Sequence, residues 1–314
     1  MRFEVRVPAY ERPAMLLRAL RSLQGQTHGD WTAIVYDDSR TAAAREVVEQ
    51  LADGRIRYVH NAARLGAARN IDQCFAPEPQ GGGAAACLLE DDNFWQPGFI
   101  DAAAAALRQG VEPLVMMNQR VNDETGGLRH EDDTTRGRWF ADGLIDPLVL
   151  RASLLFMEGV SNGGLVWRLG AGVDLRVGPA IVHTGLQEAC RTLLIPQRMR
   201  FVSRAEAVWT ALPKQDTARR DEGNRLIGRG MQSVRRHVLA RDGRAVVDAA
   251  RALAERVGLR DALGAAVWHS AGLRAWQWRE AVGFDPVALL KGWALRNLEP
   301  DPCAGFLATR SSRG

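Results

Sequence analysis

The sequence predicts an α/β fold, a mostly parallel sheet with flanking helices, followed by a C-terminal helical region. Three observations lead there. Strand-like and helix-like stretches alternate over about the first 120 residues, the signature of a sheet covered by helices. Beyond about Pro213 only helical periodicity remains. Three polar clusters, Pro8-Ala9-Tyr10, Asp37-Asp38 and Glu90-Asp91-Asp92, each follow a strand-like run directly. In open α/β sheets, ligands bind at the carboxyl ends of strands, so three such clusters point to one site.

The elements follow in order. Phe3 to Val7 alternates polar and apolar and stops at Pro8, which suits a short strand. Pro13 to Leu23 has helical spacing, with proline at its start. Trp31 to Tyr36 is a β-rich run, Ala42 to Leu51 a second helix and Ile56 to Val59 a short strand. Ala67 to Phe75 predicts a third helix, Pro77 to Gly83 a loop and Ala84 to Leu89 an apolar strand. Phe99 to Leu107 is a fourth helix and Leu114 to Met117 another strand. Residues 118–150 are polar and glycine-rich and predict a long loop, a lid or an acceptor-binding segment. Apolar character returns at Leu150, broken by Asn162-Gly163-Gly164. Arg225 to Leu239, Ala245 to Val257, Asp261 to Leu273 and Pro286 to Leu295 are predicted helices, and the last dozen residues a frayed end. The expected organisation is a nucleotide-binding α/β half over residues 1–117, a second half of the same domain over 118–213, and helices over 214–314.

Composition excludes several classes. The 314 residues are 46% hydrophobic and 25% charged, enough for a substantial core and unlike a disordered, collagenous or coiled-coil chain. No run of apolar residues is long enough to span a bilayer. Met1 to Pro8 reads as a strand under way rather than a signal peptide, so the expected location is cytoplasmic. Cys74, Cys87, Cys190 and Cys303 lack metal-ligand spacing and are expected to be free thiols, Cys87 in a core strand. The formal charge of +4 is unevenly divided: residues 1–212 hold 23 basic and 26 acidic side chains, residues 213–314 hold 18 and 11. The C-terminal third therefore carries +7 against −3 for the rest. No aromatic platform accompanies these charges, which argues against a nucleic-acid module.

Glu90-Asp91-Asp92 concentrates like charge where burial is costly, and a hard divalent cation is one way to compensate it. Asp37 and Asp38 are suited to hydrogen-bonding a base or ribose. Arg64 and Arg69 bracket Leu65-Gly66-Ala67-Ala68, where a helix begins, a good neighbourhood for phosphate. With Val7-Pro8-Ala9-Tyr10, Ile34 to Ser39, Asn61 to Asn70 and Leu88 to Asp92 in this order, the chain resembles the family 2 inverting glycosyltransferases of the GT-A fold. The resemblance covers residues 1–110 well, 150–212 loosely and the C-terminal helices not at all.

That resemblance implies a Rossmann-like, mostly parallel mixed sheet and a nucleotide-sugar donor, a uridine one first. It implies that Pro8, Ala9, Tyr10 and Arg12 lie at the donor pocket, that Asp37 or Asp38 contacts base or ribose, and that Arg64 and Arg69 lie near base or phosphate. Glu90 and Asp92 fall on the family's Asp-x-Asp pattern, with glutamate replacing the first aspartate, and Asp91-Asp92 reads equally as the pair. Asp92 would bind a manganese or magnesium ion bridging the phosphates, and Glu90 or Asp91 would face the ribose. An inverting transfer also needs a general base for the acceptor hydroxyl. The family's acidic helix matches Thr184 to Arg191, which makes Glu188 the expected base, with Gln187 where a second acid often stands. Glu158, Asp174 and His183 are rival bases. The implied acceptor is a saccharide, a lipid-linked glycan or a small natural product.

Trp268, Trp276, Trp278 and Trp293 lie in the basic helical region. They predict either packing and dimerisation or peripheral contact with the inner face of the plasma membrane. Two further readings stand beside transfer. A nucleotidyltransferase of related topology would need a glycine-rich loop that residues 8–14 lack. A binding protein that kept the fold without turnover is the other.

Overall fold

The computed structural model of the chain describes residues 1–41, 43–123, 133–211 and 217–311. In chain order the elements are β1 (Phe3–Ala9), α1 (Pro13–Gln24), β2 (Trp31–Asp37), α2 (Ala43–Leu51), β3 (Ile56–His60), α3 (Ala67–Gln73), β4 (Ala85–Leu88), β5 (Phe94–Trp95) and α4 (Phe99–Gln109). Then come β6 (Leu114–Asp123), β7 (Gly143–Ile145), α5 (Pro147–Ser153), β8 (Leu165–Arg168), α6 (Thr184–Thr192) and β9 (Met199–Ala211). The chain ends with α7 (Thr217–Val257), α8 (Arg260–Ala271), α9 (Arg279–Val282), α10 (Pro286–Leu298) and α11 (Ala304–Ser311).

These elements form two compact units. The first comprises Met1–Ile145, Ser161–Arg176 and Gln197–Pro213 and contains every strand among the described residues. Its sheet runs β3-β2-β1-β4-β8-β6-β9-β5, with β7 also on β9. The pairs β3–β2, β2–β1, β1–β4 and β6–β9 are parallel, while β8 is antiparallel to β4 and β6. This is the mixed, mostly parallel α/β sheet that the sequence predicts. Helices α1 and α4 bury Leu16, Leu20, Leu23, Phe99, Ile100 and Ala103 against it.

Pro8 does not end β1, contrary to the sequence reading. Ala9 accepts its bond from Asp38 of the β2 side, and Arg6 accepts from Leu89 on the β4 side. Backbone groups alternate along a strand, so Pro8 faces the β4 side, where pairing has already ended at Leu88. The missing N–H therefore costs no ladder bond. A second correction concerns the polar stretch after Met117. Residues 118–123 are the far half of β6, paired with β9 after a register shift between Met117 and Gln119. Of the predicted loop, residues 133–142 are described, β7 and the start of α5 follow, and 124–132 lie outside the described residues.

The second unit comprises Asp146–Val160, Val177–Pro196 and Lys214–Gly314 and is helical. The boundaries of the two units therefore differ from the expected ones at 117 and 213. Residues 146–160 and 177–196 join the C-terminal helices because their apolar faces share a core with them: Leu154, Leu186 and Cys190 pack with Val234, Val238 and Val267. Within α7, Gly243 takes φ 55° and ψ −129° and breaks the helix in two. The expected fraying of the last dozen residues is overturned over Ala304–Ser311, where α11 forms and buries Phe306 beside Cys303, while residues 312–314 lie outside the described residues. All four cysteines are buried and none forms a disulfide, with Cys87 in β4. No helix among the described residues is long and apolar enough to cross a membrane.

Candidate functional site at the strand ends

The parallel order brings the carboxyl ends of β1, β2 and β4 side by side, and the predicted residues of all three clusters meet there. Tyr10, just past β1, donates its backbone N–H to Asp91 Oδ2 at 2.9 Å. Arg12 spans the next step: its guanidinium bonds Asp91 Oδ1 at 3.3 Å and Asp92 Oδ2 at 2.6 Å. Asp91 is buried, and Asp92 is partly open beside an exposed Arg12. Burial, then the neighbouring Asp92 carboxylate, push the Asp91 pKa up to about 7, although Tyr10 N–H and Arg12 act the other way. Arg64 lies over the Tyr10 ring, 5.0 Å from its centroid. Arg69, in the first turn of α3, is exposed.

The two aspartates after β2 have separate tasks. Asp37 has no exposure, and its carboxylate accepts from the Ser39 N–H at 2.9 Å and the Tyr58 hydroxyl at 2.8 Å. Its assignment to a base or ribose is therefore corrected: both oxygens are committed to the fold. Burial first, then this bond to Asp37, push the Tyr58 pKa up to about 12. Asp38 instead holds the 61–66 loop, accepting from Asn61 Nδ2 at 2.9 Å, Leu65 N–H at 2.7 Å and Gly66 N–H at 2.8 Å. Gly66 has φ +81°, which glycine adopts without strain, and it opens α3. Asn70 ties the same loop to the strand ends, donating to the carbonyls of Ala9 and Tyr36. Pro8 and Ala9 are buried strand residues beneath this loop.

Asn93 and Arg18, which sequence reasoning did not single out, complete the acidic end together with Gly163. Asn93 donates to Glu90 Oε2 at 2.7 Å and accepts from the Thr210 N–H at 2.8 Å, joining the ends of β4 and β9. Arg18 of α1 reaches the Asp92 carbonyl and the Thr210 hydroxyl. Gly163 packs so closely that an added Cβ would lie 3.0 Å from Gln119 Nε2 and 3.3 Å from Glu90 Oε2. Asn93 was legible as the residue after the acidic triplet; Arg18 carried no signal beyond its place on α1. Glu90, facing Asn93 and Gly163, is thus turned toward the Asn162–Gly164 turn rather than toward Arg12.

A cation would find the partly open Asp92 carboxylate here, not a cage. Among the described residues, no group of three His, Cys, Asp or Glu side chains converges as a metal centre. Magnesium and manganese are commonly held by one or two carboxylates together with substrate phosphates, and Asp92 suits that arrangement.

Glu188 belongs to the helical unit, half-buried on α6, with Gln187 and Arg191 fully buried beside it. Of its rivals, Asp174 pairs with Arg176 at 2.7 Å. His183 caps α6, its Nδ1 accepting from the Gly185 N–H at 3.2 Å, and burial holds its pKa below the usual histidine range. Glu158 also lies in the helical unit.

Comparison with known proteins bears on this arrangement. Residues 4–155 match the model of a family described as glycosyl transferase family 2. A protein of Escherichia coli (strain K12), named as the colanic acid biosynthesis glycosyl transferase WcaA, is 28% identical over 105 residues. The match covers 33% of this chain and 37% of that protein. A crystal structure of S. aureus TarS (residues 1–349) superposes with a TM-score of 0.59 over 95% of this chain and 90% of that one, at 12% identity. The same protein with UDP gives a TM-score of 0.58 at 13% identity. At such identities the likeness is one of fold.

Proposed function

From residues 4–155, which match the glycosyl transferase family 2 model, we propose that this protein transfers a sugar from a nucleotide diphosphate sugar to a hydroxyl acceptor with inversion at the anomeric carbon. The observation that carries the reading is the convergence of Tyr10, the loop pinned by Asp38, and the Arg12–Asp91–Asp92 group at adjacent strand ends. Tyr10 with Arg64 offers a stacking surface for a base. Arg12, and Arg69 at the start of α3, offer cationic donors to the diphosphate. Uridine is the nucleotide to test first, because TarS, which shares the fold, has been crystallised with UDP and with UDP-GlcNAc.

The reaction forms one bond and breaks one. Glu188 takes the proton of the acceptor hydroxyl as its oxygen attacks the anomeric carbon, and the bond from that carbon to the diphosphate oxygen breaks. A bound divalent cation would neutralise charge on the departing diphosphate, and Asp92 is the residue that would hold it. Arg12, which pairs with Asp91 and Asp92 in the free protein, is a protein cation placed for the same purpose. The acceptor class is a saccharide, a lipid-linked glycan or a small natural product.

Calorimetric titration with UDP, with and without manganese, tests the donor site. Manganese-dependent binding that disappears in Asp92→Ala is the expected result; binding to no nucleoside diphosphate in either condition would sink the reading. For the base, Glu188→Gln should lower turnover by about 10²–10⁴-fold with donor affinity unchanged. Wild-type turnover in that variant would remove Glu188 from the mechanism.

A further inference from the structure

The helical unit leaves an apolar face uncovered, and the structure separates the four tryptophans of this region into two kinds. Trp268 and Trp278 are buried at 0% and 6% exposure and belong to the core. Trp276 and Trp293 are 54% and 63% exposed. Around them Leu273, Phe284, Val287 and Leu290 are also exposed, each by more than half. The rings of Trp276 and Phe284 touch edge to face at 5.9 Å, both resting on Trp268.

Helix α10 shows why this face is unusual. Its inner side is shaped for α8: Ala288 and Gly292 are buried, and Gly292 sits where a Cβ would fall 2.0 Å from the His269 carbonyl. Its outer side presents Val287, Leu290 and Trp293 at three-residue spacing, which puts them along one face. A surface helix ordinarily carries polar residues there, and contiguous exposed apolar surface marks a contact.

Charge identifies the contact. Residues 273–298 hold Arg274, Arg279, Lys291 and Arg296 against Glu280 and Asp285, and the Asp285 carboxylate is occupied as the α10 N-cap. Arg279 lies 5.2 Å from the Trp276 ring centroid. A cleft of about 520 Å³ beside the same segment is lined by Arg236, Arg274 and Trp278, and by Arg244, which pairs with Asp248. A second copy of this chain would fit poorly, because a two-fold interface sets a patch against itself and would oppose these cations to one another. An anionic bilayer surface answers both features: headgroup phosphates meet the arginines, and the tryptophan, phenylalanine and leucine side chains enter the headgroup boundary. We propose that the exposed face of residues 273–298 docks the protein on anionic lipid membranes.

The proposal is independent of the donor reading, and its test uses no substrate. The full chain is floated with vesicles of phosphatidylcholine alone and of phosphatidylcholine mixed with phosphatidylglycerol, at low and high salt. Binding only to the mixed vesicles, weakened by salt, is expected. Trp276→Ala with Trp293→Ala should reduce it at least tenfold, and Arg274→Ala or Arg279→Ala about fivefold each. Circular dichroism checks that these surface variants keep their helices. Three outcomes would overturn the proposal: no flotation with anionic vesicles, equal flotation on neutral ones, or binding indifferent to the tryptophans. So would a dimer in sedimentation that the same variants dissolve, since a second copy would then cover the face.

Discussion

Asp38 shows how one carboxylate shapes the candidate site without being its chemistry. Two of its three bonds come from backbone N–H groups of Leu65 and Gly66, and the third from Asn61. Asp38→Ala leaves those donors without their acceptor in a nearly closed environment. The expected cost is about 2–3 kcal/mol, since each stranded donor costs about 1–3 kcal/mol and water recovers part of it. Because the loop carries Arg64 over Tyr10 and leads into Arg69, donor affinity should fall as well, measured by urea unfolding and nucleotide titration of the same variant. A loss of affinity with unchanged stability would instead make Asp38 a direct ligand contact. The sequence could place an aspartate pair at the end of β2 but could not divide its labour, because that depends on which way each carboxylate turns. Likewise the alternation in Phe3 to Val7 identified β1, yet Glu4 and Arg6 are fully buried and bonded to each other and to the 74–81 loop. Periodicity shows that two faces differ, not that one of them is wet.

At the scale of elements, the helices and strands of the first 117 residues, the two-residue β5 apart, were legible because each has its own period and its own punctuation: Pro13 at the start of α1, Gly66 before α3, Gly98 before α4. Where the reading failed, pairing had overridden composition. Residues 118–123 are polar, but β9 supplies a 13-residue partner, and such a partner makes a strand of a segment that looks like loop. The segments 146–160 and 177–196 were assigned by their position in the chain, whereas their apolar faces assign them to the helical core. The α8–α10 contact gives a sharp test of that core. Gly292 permits an approach that no side chain allows, and the obstructing atom is a backbone carbonyl that cannot swing aside. Gly292→Ala should cost about 1–3 kcal/mol through forced separation of the two helices, read as a lowered urea midpoint. An unchanged midpoint would mean that the two helices are free to shift apart at no cost.

At the scale of the whole molecule, the two units differ in what acid does to each. Histidines with a shifted pKa among the described residues, His183, His237 and His269, all belong to the helical unit, and burial lowers each one. Arginine and lysine neighbours lower His269 further, and Arg241 acts on His237 against Asp242. A histidine lowered in the folded state binds its proton more readily when unfolded. Its contribution is therefore fully present above the ordinary value near 6.5 and is lost as pH falls below it. The sheet unit has the opposite kind of group in Asp53 and Asp101, held below the usual carboxylate range by hydrogen bonds from Arg55 and from Thr27. Their contribution persists until pH falls through the carboxylate range near 4. Melts followed at the helical far-ultraviolet band should therefore weaken as pH falls below about 6.5, before Asp53 and Asp101 begin to titrate, while Asp91 of the sheet unit, raised to about 7, works the other way over the same range. His269→Gln, which cannot take up the proton, should flatten part of that slope. A stability that stays level until pH 4 would show that the three imidazoles keep enough water to protonate without strain, and that carboxylates alone govern the acid limb.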